Sequence, residues 1–449
     1  MGLQHRREVV VGVAILLGAF AACTTSNPSS PGAIKCTPGA YVYCRCEDRS
    51  EGTKLCRPDG VSFDACNCDG TEPPVTPEGD AGIPSTPLEP VDAGPVTGPT
   101  IDPKCAGKLG IVAGAATDNA TFVATYVGAG VFSASKSASS PGVRGPVTIV
   151  ASGSSLVATY VARLGYLGWT KLSGAAWSAP QSLGDGTASG TSSSMTVLSG
   201  TPRLFYLGQD GRFFMGTYGS GGWDMALSAG ASAEAPGDAG PAIPGKSSPA
   251  TATVGTSMTL AFAGESGALA RETFVSGGWS VAAKFTNAAA FGTVPAIAAL
   301  DPGGMRDEII VYPGQDLLLH VVTRDASTRL WSAPTLFDTA ASATELALQG
   351  LPGGKALLVY RASNGQGYYA TWTAAAGFGP PAELVAGKNP VLAGVPSVTR
   401  GQCGSDATIA YAEKDGPVKI LRLTGAGLLG PFEVGGVTNV TFVGVGELP

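Results

Sequence analysis

Short apolar runs that end in an aromatic residue recur along the chain beyond residue 105. Apolar side chains alternate in them with small or polar ones, and turns rich in Gly, Asp, Asn or Ser follow, a pattern typical of strands joined by hairpins. No long segment shows the period of about 3.6 residues that marks an amphipathic helix. The pattern therefore predicts an all-β domain. Its seven copies contain Tyr126, Tyr160, Tyr206, Phe262, Tyr312, Tyr360 and Tyr411.

The copies follow one another at intervals of 34 to 56 residues, with room in most intervals for four short strands. A four-stranded repeat of about 40 to 55 residues is typical of a β-propeller blade. Seven copies predict a seven-bladed β-propeller, with six blades as the alternative. Four copies are followed by a tryptophan that we interpret as packing between blades. These tryptophans are Trp177, Trp223, Trp279 and Trp331.

The first interval, 34 residues, is too short for a complete blade. We therefore predict that the first blade lacks its outer strand and that the tail segment 439–443 supplies it. This arrangement would close the ring between the two ends of the domain. Cys105 precedes the first blade and Cys403 lies in the last one, and a disulfide between them is predicted to fasten the closure.

The chain begins with a basic segment at residues 5–7 and an apolar run at 9–22. A membrane-spanning helix needs about 20 apolar residues, so the run is too short to be one and fits a secretory signal. It ends in Phe-Ala-Ala-Cys at 20–23, which resembles the lipobox of bacterial lipoproteins. The resemblance implies removal of residues 1–22 and attachment of acyl chains such as palmitate to Cys23. Because two threonines rather than acidic residues follow, it also implies delivery to the outer membrane.

A short tether, 23–35, leads to a block rich in cysteine at 36–68. So short a segment cannot bury a sufficient core, and three disulfides of open connectivity are the predicted substitute. A zinc site is the alternative, although the block has no Cys-x-x-Cys spacing and no histidine. The layout resembles small cysteine-rich modules of myxobacterial surface lipoproteins. The cysteines are Cys36, Cys44, Cys46, Cys56, Cys66 and Cys68.

Residues 69–104 are rich in proline and acidic side chains. Such a segment cannot pack into a core, and it favours extended polyproline II structure without a fixed fold. We predict a disordered, stiff linker that holds the propeller domain, 105–449, away from the membrane.

Charge and histidine content restrict the chemistry of the chain. The net charge of −6 argues against a nucleic-acid partner, which would require a basic surface. Only two histidines occur, His5 in the leader and His320 in an apolar strand, so a site with several histidine ligands is excluded. We interpret His320 as a packed residue on a blade face, and we predict no metal, cofactor or catalytic residue.

Glycoside hydrolysis needs only two carboxylates, so few histidines do not exclude it. The acidic candidates are scattered, and no pair has a diagnostic context. Sialidase propellers carry a repeated Asp-box, and the segment from Thr323 to Trp331 is similar to it, although it lacks the glycine and is one residue longer. The acidic candidates are Asp224, Asp301, Asp307, Glu308 and Asp325.

The repeats resemble those of lectin-type propellers, which combine an aromatic strand, an Asp-Gly turn and a Gly-Trp-Ser segment. Fucose-binding members use an arginine in the second strand of a blade and a glutamate in the third. Arg203 falls at the arginine position, whereas Phe214 occupies the matching glutamate position. Trp169 and Trp372 lie outside the repeat frame and are further candidates for ligand contact.

These observations lead to one favoured hypothesis and two alternatives. The favoured one is a lipid-anchored envelope protein whose propeller binds glycans or a partner protein without catalysis. The first alternative is a carbohydrate-active enzyme, a hydrolase or lyase, that uses paired carboxylates in the funnel of the propeller. The second is a scaffold similar to the propeller lipoprotein of the outer-membrane barrel-assembly machinery.

Overall fold

The computed structural model divides the chain into two compact units, 1–92 and 93–449, which are considered separately. It describes residues 41–45, 51–55, 57, 59, 62–65, 101–114, 120–137, 142–162, 166–187, 192–208, 213–220, 222–226, 247–264, 267–275, 278–280, 282–289, 294–301, 304–337 and 343–449. The leader, Cys23 and most of the linker lie outside these residues. Within them, no helix is long and apolar enough to cross a membrane.

The first unit contains an antiparallel strand pair, β1 (Tyr41–Arg45) and β2 (Glu51–Leu55). Near it, Arg57 donates from Nε to Asp64 at 2.6 Å. Of the six module cysteines, only the backbone of Cys44 is described. The three disulfides therefore stay predictions.

The second unit contains seven antiparallel sheets, which are the blades of the predicted seven-bladed propeller. Blade 1 consists of β33 (Phe442–Glu447), β3 (Leu109–Gly114), β4 (Thr121–Gly128) and β5 (Val131–Ser137), from the inside outwards. Blade 2 consists of β6 (Val143–Ser152), β7 (Ser155–Ala162) and β8 (Tyr166–Ser173), with β9 (Ala176–Trp177) and β10 (Gln181–Thr187) both paired to β8. Blade 3 consists of β11 (Ser194–Leu198), β12 (Thr201–Leu207), β13 (Phe213–Gly219) and β14 (Gly222–Ala226).

The other four blades repeat this order. Blade 4 consists of β15 (Ala250–Val254), β16 (Ser257–Ala263), β17 (Ala268–Val275), β18 (Gly278–Trp279) and β19 (Ala283–Ala289). Blade 5 consists of β20 (Ala296–Ala299), β21 (Arg306–Pro313), β22 (Leu319–Asp325) and β23 (Thr335–Leu336). Blade 6 consists of β24 (Ala343–Leu351), β25 (Lys355–Ala362), β26 (Gly367–Thr373), β27 (Gly377–Phe378) and β28 (Ala382–Glu383). Blade 7 consists of β29 (Ser397–Arg400), β30 (Ala407–Ala412), β31 (Pro417–Thr424) and β32 (Gly427–Thr438). A 3-10 turn, Pro103–Cys105, precedes β3.

The two ends of the domain close the ring through the pairing of β33 with β3, in which Leu109 lies opposite Glu447. Closure between the termini was predicted, but the predicted position of the tail strand is wrong. The tail supplies the innermost strand of blade 1, at 442–447 rather than 439–443, because β3, β4 and β5 already occupy the three outer positions. The first interval is short for the same reason: Tyr126 lies in the third strand of its blade, whereas Tyr160 lies in the second.

Buried side chains form seven apolar clusters, one between each pair of neighbouring blades. The recurring aromatic residues belong to these clusters and are buried, and burial of one such side chain contributes roughly 2–3 kcal/mol. The recurring tryptophans pack towards the preceding blade, as predicted. Trp177 of blade 2, for example, donates from Nε1 to the carbonyl oxygen of Ala124 in blade 1 at 3.1 Å.

Candidate functional site

The innermost strands surround a central channel of about 1340 Å³. Its wall consists mainly of Ser, Thr and small apolar side chains, with Arg144 and Arg400 as the charged residues among the described lining. No Asp or Glu occurs in that described lining. The pair of funnel carboxylates that the enzymatic alternative requires is therefore not found there.

The polar side chains of the channel bind one another across neighbouring blades. Ser194 and Thr251 approach at 2.8 Å, and so do Thr196 and Thr253, which joins blade 3 to blade 4. At one mouth, Arg400 of blade 7 donates to Asp301 of blade 5 at 2.7 Å. These groups satisfy each other, so the channel wall serves the cohesion of the ring.

The interface between blades 4 and 5 contains a charged group of a different kind. Arg324 on β22 is buried and donates from Nε to Asp307 at 2.9 Å and from Nη1 to Glu308 at 2.8 Å. Glu308 Oε2 also accepts from Thr259 of blade 4 at 2.9 Å, which carries the network across the interface. Arg329, whose side chain is 60% exposed, reaches Asp307 from the surface. Arg324 is therefore fully engaged by two carboxylates.

Arg271 on β17 faces this network from blade 4. Its guanidinium carbon lies 5.7 Å from the ring centroids of both Phe285 and Trp331, which contact each other edge to face at 5.3 Å. The residues that the structure describes offer this guanidinium no hydrogen-bond acceptor. Burial, together with the neighbouring Arg324, lowers the pKa of Arg271. Arg271 is thus a partly buried cation beside two aromatic rings, with Glu308 as a Coulombic neighbour and no ion pair to the described residues.

Glu308 interacts with this arginine through its charge. Its Oε1 atom is buried without a hydrogen-bond partner among the described residues, and burial raises the pKa of its carboxyl to about 7, against the opposing effect of Arg324. We name Arg271, Phe285, Glu308, Arg324 and Trp331 the blade 4–5 cleft. Sequence reasoning found Glu308 and Trp331 but missed Arg271, because its rings and charged neighbours come from strands that are distant in the chain.

The structure changes the assignment made for Arg203. The register of β12 and β13 places Arg203 opposite Thr217, to which Nη1 donates, whereas Phe214 lies opposite Tyr206. Arg203 and Phe214 therefore do not pair directly across the two strands. In blade 5 the same two residue types occur in the reverse order, with Glu308 on the second strand opposite Arg324 on the third.

The two other contact candidates have different environments. Trp169 is half-buried and contacts Tyr218 of blade 3 edge to face at 5.8 Å. Trp372 is 5% exposed and packs in the cluster between blades 5 and 6, opposite Phe378. The expectation that Trp372 lies exposed for ligand contact is wrong, because β26 turns its ring into that interface.

Two further predicted residues behave as structural groups. His320 stacks on Tyr312 at 5.4 Å and contacts Asp316 at 2.9 Å, as expected for a blade-face histidine. Asp325 Oδ1 accepts from the backbone and hydroxyl groups of Ser327 and Thr328, which explains why the pKa of this carboxyl is lowered. The segment similar to an Asp-box therefore forms a side-chain-stabilised turn.

Cys105 and Cys403 meet where blade 7 joins blade 1. Their sulfur atoms and a carboxylate oxygen of Glu447 lie within 4.8 Å of one another, and both thiols are unbonded. These three groups could hold a metal ion, but the guanidinium of Arg422 lies 3.3 Å from Cys105 Sγ and 3.2 Å from Glu447, where it opposes a second cation. The geometry thus brings the predicted disulfide partners together, and the bond itself stays a prediction.

No protein-family model and no curated protein matches the chain. Solved structures do match. The BP39L lectin from Burkholderia pseudomallei is similar to this chain at a TM-score of 0.55 and 16% identity, and the alignment covers 74% of this chain and 99% of the lectin. SapL1 lectin in complex with alpha methyl fucoside aligns at a TM-score of 0.47 and 14% identity, over 65% of this chain and 97% of the lectin. The six-bladed fungal Aleuria aurantia lectin aligns at a TM-score of 0.45 and 13% identity, over 65% of this chain and 97% of the lectin. At these identities the likeness shows the propeller fold alone.

Proposed function

We propose that this protein is a lipid-anchored component of the bacterial cell envelope whose propeller binds glycans through the blade 4–5 cleft. The observation that carries the proposal is Arg271, a cation beside Phe285 and Trp331 to which the described residues offer no hydrogen-bond acceptor. Binding sites for small ligands typically combine aromatic walls with a few polar groups that fix orientation. The fold neighbour at a TM-score of 0.55 is named a lectin, which supports a glycan as the ligand class.

The N-terminal region supports the placement in the envelope. The lipobox-like sequence ending at Cys23 provides a lipid attachment site, and several acyl chains anchor a protein stably. The proline-rich segment 69–104 acts as the spacer. A glycan-binding domain on such a tether would contact polysaccharide at a distance from the membrane surface.

The test is a glycan array probed with the chain from residue 24 onwards, which lacks the lipid site. We expect binding to a defined group of glycans and at least a tenfold loss of affinity in Arg271→Gln. Arg144→Gln is the matched control, because this arginine lines the channel in blade 2 and does not contact the cleft. Absence of glycan binding, or equal binding by wild type and Arg271→Gln, would overturn the proposal.

A partner protein is a second candidate, favoured by two exposed apolar side chains on blade 5. Met305 and Leu330 are 67% and 69% exposed and lie on neighbouring loops, which a hydrogen bond from Ala326 N to the Met305 carbonyl oxygen connects. Exposed apolar side chains that lie close together often mark protein interaction sites. Co-purification from envelopes with wild type and a Met305→Ser/Leu330→Ser variant tests this; equal recovery of every partner would refute it.

A further inference from the structure

We propose that the blade 4–5 cleft selects acidic sugars, namely uronic-acid residues, whose carboxylate pairs with Arg271. This inference rests on the proposed glycan binding and adds the charge of the ligand to it.

The charges within the cleft are not balanced. Arg324 is neutralised by Asp307 and Glu308, with hydrogen bonds of 2.9 and 2.8 Å to the two carboxylates. Arg329 shares the second oxygen of Asp307. Both carboxylates hydrogen-bond other cations, whereas Arg271 interacts with Glu308 through charge alone and finds no hydrogen-bond acceptor among the described residues of the cleft. An anion from outside would supply the missing charge.

The two aromatic rings fix the position of the Arg271 guanidinium. Phe285 and Trp331 each lie 5.7 Å from the guanidinium carbon, so the side chain of Arg271 is held in place before a ligand arrives. A guanidinium presents two parallel N–H donors that match the two oxygens of a carboxylate. A pair formed in a partly desolvated cleft is stronger than the same pair at an exposed site.

A neutral sugar would not compensate for the burial of Arg271. A hydroxyl group accepts one hydrogen bond from a guanidinium, but it leaves the positive charge and its repulsion from Arg324 in place. The carboxylate of a uronate offsets both the buried positive charge of Arg271 and its repulsion from Arg324. Burial first, and then the charge of Arg324, lower the pKa of Arg271 in the free protein, and a bound carboxylate would offset both effects by stabilising the charged guanidinium.

The experiment compares ligands that differ only in charge. Binding of oligogalacturonate and of its methyl-esterified form to the wild-type chain from residue 24 onwards is measured by calorimetry at low and moderate salt. We expect the acidic form to bind at least tenfold more tightly and its affinity to fall as salt rises. Equal affinity for the two forms overturns the inference, while absence of binding to any glycan overturns the proposed function itself.

Variants assign the preference to Arg271. Arg271→Gln should bind both forms with similar weak affinity, whereas Arg271→Lys should keep part of the preference for the acidic form. Arg144→Gln should bind like wild type. Thermal melts of all three variants show whether the fold is retained. If a variant is unstable, the comparison of acidic and methyl-esterified ligand on the wild-type protein still decides the inference. An undiminished preference in a folded Arg271→Gln would contradict it.

Discussion

The thiol of Cys105 lies 3.7 Å from the carbonyl oxygen of Cys403, although 298 residues separate them in the chain. Around them, Glu447 accepts from the backbone of Cys403 at 3.0 Å and from Arg422 at 3.2 Å. All four residues lie where the last blade meets the first. This polar cluster therefore connects the beginning and the end of the propeller.

We predict that Cys105 and Cys403 form a disulfide in the cell envelope. Two thiols lose two protons and two electrons to an external disulfide, and the new bond fastens the ring. On the chain-entropy model, a loop of about 300 residues gives about 5–6 kcal/mol of stabilisation. Mass spectrometry of protein isolated from envelopes without reduction should show the linked peptides. Reduction should lower the melting temperature of wild type but not that of Cys403→Ser, whereas two free thiols in envelope-derived protein would contradict the prediction.

Glu272 should make stability depend on pH. Its side chain is 1% exposed, its Oε2 has no hydrogen-bond partner among the described residues, and burial raises its pKa to about 7 from 4.5. Between these two values the folded state keeps a proton that the unfolded state has lost. Stability therefore falls as pH rises through this window, and above it the full loss of about 3 kcal/mol is present.

Glu272→Gln removes the ionisation and should be more stable than wild type at pH 8 by roughly that amount, with little difference at pH 4. Urea denaturation at both pH values measures the effect. Glu433→Gln, on the exposed part of β32, is the control and should follow wild type. A constant difference between Glu272→Gln and wild type at all pH values would show that desolvated charge is not the cause.

Gly350 on β24 permits blade 6 to approach blade 5 closely. A Cβ atom at this position would collide with the carbonyl oxygen of Ala299, which is backbone and cannot rotate away. Gly350→Ala should therefore destabilise the propeller by about 2 kcal/mol or more through overpacking. Gly425→Ala, where a Cβ would meet nothing within 4 Å, is the matched control. Chemical denaturation measures both, and equal stability of the two variants would refute the close approach.

Cys23 is expected to carry the membrane anchor. Wild type should be found in the outer-membrane fraction and should incorporate labelled palmitate, whereas Cys23→Ser should lose the label. Because the acyl chains on Cys23 are predicted to be the anchor, this variant should no longer fractionate with the outer membrane as wild type does. Unchanged outer-membrane fractionation of an unlabelled Cys23→Ser protein would show that another feature holds it there.

The sequence by itself determined the class of fold and favoured seven blades over six. Each blade is built from strands that follow one another in the chain and are joined by short turns. The alternation of apolar and polar residues, the recurring aromatic residue and the tryptophan are therefore signals that a short stretch of sequence contains. Such local signals identified Trp177 and Trp331 as residues between blades. One error arose here: Tyr126 fits the repeat by pattern, yet it lies in the third strand of its blade.

Only the tertiary structure decided which groups meet across blades. The tail strand had to take the inner position because the outer ones were filled. Trp372 turned into an interface, and Arg203 came to lie opposite Thr217. Arg271 met Trp331 because strands of two blades pack face to face. Such contacts depend on how whole sheets are placed around the ring. The local pattern of apolar and polar residues within one sheet contains no information about that placement.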